Sequence, residues 1–107
     1  MTKQEVLMGI GTRARSYGFE MRENQWRMTG YEIVVPNNYV NITLKDELEV
    51  KAEEMQIVHH IKVTACISHM GGYPTPQELM EQANWITAAA KLCMDFDGVD
   101  LNWVEQH

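Results

Sequence analysis

The sequence predicts an α+β fold: an antiparallel meander sheet of three to four strands with an N-terminal and a long C-terminal helix packed on one face. Apolar residues recur every three or four positions near both ends of the chain, and they alternate with polar residues in between. Turn-forming residues separate the alternating runs. The predicted order is α-β-β-β-α with a short final strand. The 107 residues fit a single domain, residues 1–107, with one modest core.

The first helix is predicted to begin after Thr2, because Thr2 and Glu5 have the spacing of a capping box. Gly18 is expected to end it. One face of this helix is apolar, and it carries Val6, Leu7, Ile10, Ala14 and Tyr17.

Residues 26–35 are predicted to form the first strand. Trp26 and Met28 alternate with polar residues, and the alternation changes parity at Gly30, which is typical of a β-bulge. Residues 36–38 then predict a turn, because proline and asparagine favour turn conformations.

The longest clean alternation runs over residues 40–52 and predicts a strand with one solvent-facing side. For residues 46–55 a short helix capped by Asp46 is the alternative. Residues 57–70 alternate again and predict the next strand. Val99, Leu101 and Trp103 predict a short last strand at a sheet edge.

The C-terminal helix has the clearest signals. Thr75, Pro76 and Glu78 predict its start, and Asp97 with Gly98 predicts its end. More than half of its circumference is apolar, so we expect it to be covered on more than one side. The first apolar stripe is expected to pack on the sheet, and it consists of Leu79, Ala83, Ile86, Ala90 and Cys93. The second stripe consists of Trp85, Ala89, Leu92 and Phe96. It is expected to be covered by the first helix or to form a partner or dimer surface.

The charge of −6 is unevenly distributed, with a net of +2 in residues 1–30 and −8 in residues 31–107. This acidic balance argues against direct binding of nucleic acid. No apolar run reaches the length of a membrane span, so we expect no membrane association and a cytoplasmic location. Cys66 and Cys93 are expected to be reduced.

The predicted element order is similar to that of the double-stranded-RNA-binding domain. That family carries a lysine-rich phosphate-binding motif at the start of its second helix, whereas Thr75-Pro76-Gln77-Glu78-Leu79 is neutral to acidic. The resemblance therefore implies no RNA binding for this chain.

No catalytic, cofactor or metal site is predicted. His59 and His60 point to opposite faces of one strand, and His69 is about 33 Å from His59 along an extended chain. His107 at the terminus could reach any of these histidines, but a transition-metal site is not expected. The acids Asp95, Asp97 and Asp100 lack the glycine and glutamate positions of a calcium loop.

The remaining expectation is a binding surface in which aromatic and apolar anchors are surrounded by acids. Its candidate residues are Glu47, Glu49, Glu53, Glu54, Tyr73, Glu81, Trp85, Leu92, Asp97 and Asp100. Such a surface suits a basic partner protein, for instance the nucleic-acid-binding surface of a target.

We therefore expect a non-enzymatic, acidic protein-binding module of the kind found among phage or mobile-element inhibitors, which include anti-CRISPR proteins. The alternative is a self-associating accessory domain that forms a homodimer through Trp85 and Leu92. A third hypothesis is a small-ligand-binding domain or enzyme with its site near Tyr73.

Overall fold

The computed structural model describes residues 1–37, 39–68 and 71–105. The turn predicted at Asn38 and the histidines His69 and His107 lie outside the described residues. Within the described part, no helix is both long enough and apolar enough to cross a membrane.

Over the described residues, the protein has two α-helices and a five-stranded antiparallel sheet whose strands lie in chain order, β1-β2-β3-β4-β5. The predicted α+β class is confirmed, but the predicted count of three to four strands is wrong. The elements are α1 (Lys3–Ser16), β1 (Glu20–Glu23), β2 (Tyr31–Val34), β3 (Val40–Lys51), β4 (Gln56–Ile67), α2 (Pro76–Phe96) and β5 (Asn102–Val104).

The extra strand is β1, which the sequence analysis missed. It pairs with β2 along four residues, and Arg22 forms an ion pair with Glu32 at 2.7 Å. Trp26 and Met28 do not lie in a strand; they are exposed in the loop that joins β1 to β2. The strand has one apolar residue, Met21, so its pairing with β2 and not its own alternation specifies it.

The centre of the sheet is a long hairpin of β3 and β4, which pair over twelve residues. The strand interpretation of residues 46–51 is confirmed. The competing helix is reduced to one 3-10 turn, Ala52–Glu54, followed by Met55 in the left-handed conformation at φ 53°. A closing turn is favoured here because twelve cross-strand pairs outweigh one exposed helical turn.

Both helices pack against the sheet around one core. α1 contacts β1, β2 and β5, whereas α2 contacts β3 and β4. The core contains Val6, Ile10, Ala14, Phe19, Ile33, Val40, Ile42, Ile61, Ala89, Leu92, Leu101 and Trp103. The helices also meet each other at Asp95, which accepts a hydrogen bond from Tyr17 and lies 3.5 Å from the Arg13 guanidinium.

Candidate interaction surface

The start of α2 is fixed by its sequence as predicted. The Thr75 hydroxyl accepts a hydrogen bond from the Glu78 N–H at 3.2 Å, and Pro76 occupies the first turn, where its missing N–H is not needed. The helix then continues for 21 residues, which is about 31 Å.

One side of α2 belongs to the core. We call Trp85, Ala89, Leu92 and Phe96 the inner stripe. Leu92 is fully buried and Ala89 is 2% exposed, while Trp85 and Phe96 are half-buried against the same core. The Trp85 ring lies 5.6 Å from the ring of Phe19.

Leu92 is fully buried in the chain's own core and has no surface to offer a second protein, so its predicted place in a partner surface is wrong. Trp85 is only half-buried, and its contact with a partner stays a prediction. The alternative prediction was that the first helix covers this stripe. It agrees with the position of α1 in the same core cluster.

The opposite side of α2 is apolar and exposed. We call Leu79, Ala83, Ile86, Ala90 and Met94 the outer stripe. Leu79 is 52% exposed, Ile86 37% and Met94 73%. At about 100° per residue the outer stripe is centred about 130° from the inner stripe. The prediction that Leu79, Ala83, Ile86 and Ala90 pack on the sheet is therefore wrong.

The size of the side chains explains why the inner stripe, and not the outer stripe, packs on the sheet. Both stripes have helical spacing, so periodicity alone gives them equal weight. The inner stripe carries Trp85, Leu92 and Phe96, which together bury more apolar area against a sheet than a stripe with two alanines at its centre.

The outer stripe carries no charged residue. Met80 and Thr87 lie beside it and are also exposed and uncharged. The charged and amide side chains of α2 that face solvent lie farther round the helix, and they include Gln77, Glu81, Asn84, Lys91 and Asp95. An uninterrupted apolar strip of this length on a water-facing helix is typical of a contact surface.

The predicted acidic residues lie in separate places. Glu47 forms an ion pair with Lys62 at 3.1 Å, and Glu49 contacts the His60 ring at 2.7 Å, both on the sheet face opposite the helices. Glu53 and Glu54 lie at the hairpin turn. Because Lys45 and Lys51 also alternate along this part of β3, its solvent face carries both signs of charge.

The other predicted residues lie around α2. Tyr73 is fully exposed in the loop before the helix, and Glu81 is exposed on its polar side. Asp97 and Asp100 line a groove of about 530 Å³ between β4 and the segment after α2. The binding of a basic protein to these acids stays a prediction.

The groove also contains Cys93, a candidate reactive group. Burial raises the pKa of the Cys93 thiol, so less of it is thiolate near neutral pH. His60, which lines the same groove, contacts Glu49 through its Nε2 atom.

A cluster of Asp46, His59 and Glu105 joins β3, β4 and β5. The His59 Nδ1 atom lies 2.7 Å from Asp46 Oδ2, and its Nε2 atom lies 3.1 Å from Glu105 Oε2. The Trp103 ring stacks on His59 with centroids 4.9 Å apart. Burial lowers the pKa of His59, but the hydrogen bonds to the two carboxylates raise it by more, so the pKa lies above the usual 6.5.

The sequence analysis placed His59 on the core face but did not connect it to Asp46, because the pairing depends on strand register. The hairpin register places Asp46 opposite Ile61, and His59 is the next residue of β4 that points to the same face as Ile61. Both ring nitrogens of His59 contact carboxylates, so this polar cluster links three neighbouring strands. Among the described residues, no group of three or more His, Cys, Asp or Glu side chains is arranged to hold a metal ion.

Two exposed features lie outside α2. The far end of the hairpin exposes Leu48, Val50 and Met55. Seven charged residues lie between positions 45 and 54, and Glu47, Glu49 and Lys51 point to the sheet face opposite Leu48 and Val50. β5 pairs with β4 only near the start of β4. The last contact along β4 is the hydrogen bond that the Ile61 N–H donates to the Leu101 carbonyl, at 2.7 Å. In the described part of the chain no strand lies on that side of residues 62–67.

Protein-family models, curated proteins and solved structures give no match to this chain.

Proposed function

We propose that the chain is a non-enzymatic protein-binding domain that contacts its partner through the outer stripe of α2. The observation that carries this proposal is the exposure of a charge-free apolar strip from Leu79 to Met94 on the side of α2 turned away from the core. The other apolar strip of the same helix is already used for folding, so the outer stripe has no role inside the domain.

The chemistry of the strip favours a protein as partner. A charged ligand such as a nucleic acid binds through paired charges, and the outer stripe has none. A small molecule binds in a concave site that encloses it, whereas the stripe is the convex surface of a helix. A second protein with an apolar face matches a helical strip of leucine, isoleucine, methionine and alanine.

The outer stripe is a better contact surface than the exposed apolar residues of the hairpin. Leu48 lies directly across from His59, whose ring contacts the carboxylates of Asp46 and Glu105, so a partner there would have to remove water from charged groups. Burying the outer stripe removes water from apolar groups alone, at a gain of about 25 cal/mol per Å².

Methionine oxidation tests the proposal, because the chain has exposed methionines both beside the stripe and far from it. Met80 is 69% and Met94 73% exposed, and the matched controls Met28 and Met55 are 73% and 84% exposed. In dilute purified protein we expect all four to be oxidised at similar rates.

In a lysate of the cells that make the protein, Met80 and Met94 should be oxidised more slowly, while Met28 and Met55 keep their rates. Mass spectrometry of the peptides measures each rate. Equal rates at all four methionines in the lysate would contradict the proposal.

A further inference from the structure

The order of residues along the outer stripe suggests its partner. Large and small side chains alternate as Leu79, Ala83, Ile86, Ala90 and Met94. The midpoint between Leu79 and Met94 falls between residues 86 and 87, and the midpoint between Ala83 and Ala90 falls at the same place. Four of the five residues are therefore symmetric about this point, and Ile86 pairs with Thr87, which lies beside the stripe.

A helix with such a stripe is complementary to an antiparallel copy of itself. We propose that the outer stripe binds the outer stripe of a second copy of this chain, as a two-fold dimer with antiparallel α2 helices. This inference rests on the proposed function and names its partner.

The two-fold arrangement matches residues by size. With the axis beside Ile86 and Thr87, Leu79 of one copy faces Met94 of the other, and Ala83 faces Ala90. Facing alanines let two helix backbones approach closely, and the larger residues at each end fill the space beyond them. Isologous contacts of this kind are the commonest in soluble oligomers.

Charge restricts where two copies can meet. Each chain carries a net charge of −6, so two copies repel each other, and the repulsion is smallest where the facing surfaces carry no charge. The outer stripe is such a place, with the acids Glu81 and Asp95 on the polar side of the helix and not between the facing residues.

The size of the contact sets its expected strength. Residues 79–94 span about 22 Å of a helix about 10 Å across. Such a contact buries several hundred Å² per copy, which is at or below the lower end of stable interfaces, on the order of 1,200 Å² in total. The dimer is therefore expected to be weak, with dissociation depending on concentration.

Disulfide cross-linking tests the register directly. The tested protein is Ala83→Cys with Ala90→Cys, in a background where Cys66→Ser and Cys93→Ser remove the native thiols. Positions 83 and 90 lie two turns apart in one helix, about 10 Å along its axis, so they cannot pair within a chain. In the antiparallel dimer they face each other, and mild oxidation should move the protein from the monomer band to a covalent dimer band.

The control is Asn84→Cys with Lys91→Cys in the same background. These positions have the same separation of seven residues but lie on the polar side of α2, so this variant should stay mostly monomeric. Equal cross-linking of the two variants, or none in the first, would overturn the dimer. If Met80 and Met94 are nevertheless protected in the lysate, the proposed function stands with a different protein as partner; if they are not, both proposals fail.

Discussion

The two sides of α2 carry similar apolar stripes, but one stripe is buried and the other is exposed. Each is an apolar stripe with helical spacing, yet Leu92 on the inner stripe is fully buried and Leu79 on the outer stripe is 52% exposed. The difference teaches that a helix can use one apolar stripe for folding and leave a second, equally regular stripe exposed. The stripe with the larger side chains packs in the core, and the stripe with alanines at its centre faces solvent.

The largest expected effect comes from truncating one leucine on each side of α2. Leu92→Ala should lower the free energy of unfolding by about 2 to 5 kcal/mol, because it leaves a cavity in the core. Leu79→Ala should change the stability of the isolated chain by less than about 0.5 kcal/mol. Urea unfolding at low protein concentration measures both. Similar losses in the two variants would mean that the outer stripe also contributes to folding.

Two adjacent alanines give the next contrast. Ala89→Leu overfills the core and should cost about 1 to 3 kcal/mol of stability. Ala90→Leu should leave the stability of the isolated chain nearly unchanged but weaken the dimer, since a larger residue prevents close approach of the helices. Unfolding and light scattering report the two effects. If Ala90→Leu strengthens association, general apolar stickiness and not matched packing holds the copies together.

The cap of α2 is expected to have an effect of about 1 kcal/mol, the usual cost of replacing an N-cap threonine by alanine. Thr75→Ala removes the acceptor for the Glu78 N–H and loosens the turn that leads into Leu79. Thr12→Ala is the control, because Thr12 lies inside α1 and its hydroxyl bonds to the Met8 carbonyl. Alanine is at least as favourable there. Equal melting temperatures for the two variants would argue against the cap.

The smallest expected effect is a change of stability with pH. It compares His59 and His60, which lie on the two faces of β4. Because the pKa of His59 is raised in the folded protein, its stabilising effect is complete below the unfolded pKa of 6.5 and is lost as the pH rises through the folded pKa. Stability should therefore fall as the pH rises from the ordinary value of 6.5 through the raised folded pKa, and His59→Gln should flatten this fall.

His60→Gln is the matched control, since His60 lies on the opposite face of the same strand. It leaves the contacts of His59 with Asp46 and Glu105 in place, so the part of the slope that His59 causes should remain. Urea unfolding across the pH range measures all three proteins. A slope that survives in His59→Gln would show that other groups cause it.

The strongest local signals predicted the fold class and most elements. The caps of Thr2 and Thr75 and the alternation of β3 and β4 are properties of neighbouring residues, and they predicted both helices and the central hairpin. β1 was missed because a four-residue strand with one apolar side chain has no pattern of its own. Pairing with β2 determines where this strand forms.

The sequence predicted a partner surface that includes Leu92, but Leu92 is fully buried, and the apolar stripe left exposed on α2 is the outer one. Periodicity showed two apolar stripes on α2 but not which one meets the sheet, because that depends on the shape of the sheet surface. The cluster of Asp46, His59 and Glu105 was missed for a related reason. Its three members are brought together by strand register, which no single segment encodes.

The most direct test of the account is the native mass of the protein as its concentration rises. Light scattering should show an increase from 12.4 kDa toward twice that mass for the wild-type chain. Ala83→Glu, which places a charge in the middle of the outer stripe, should remain at the mass of one chain with an unchanged unfolding curve at low concentration. A wild-type chain that stays at one chain's mass, or an Ala83→Glu chain that associates as well as wild type, would contradict the account.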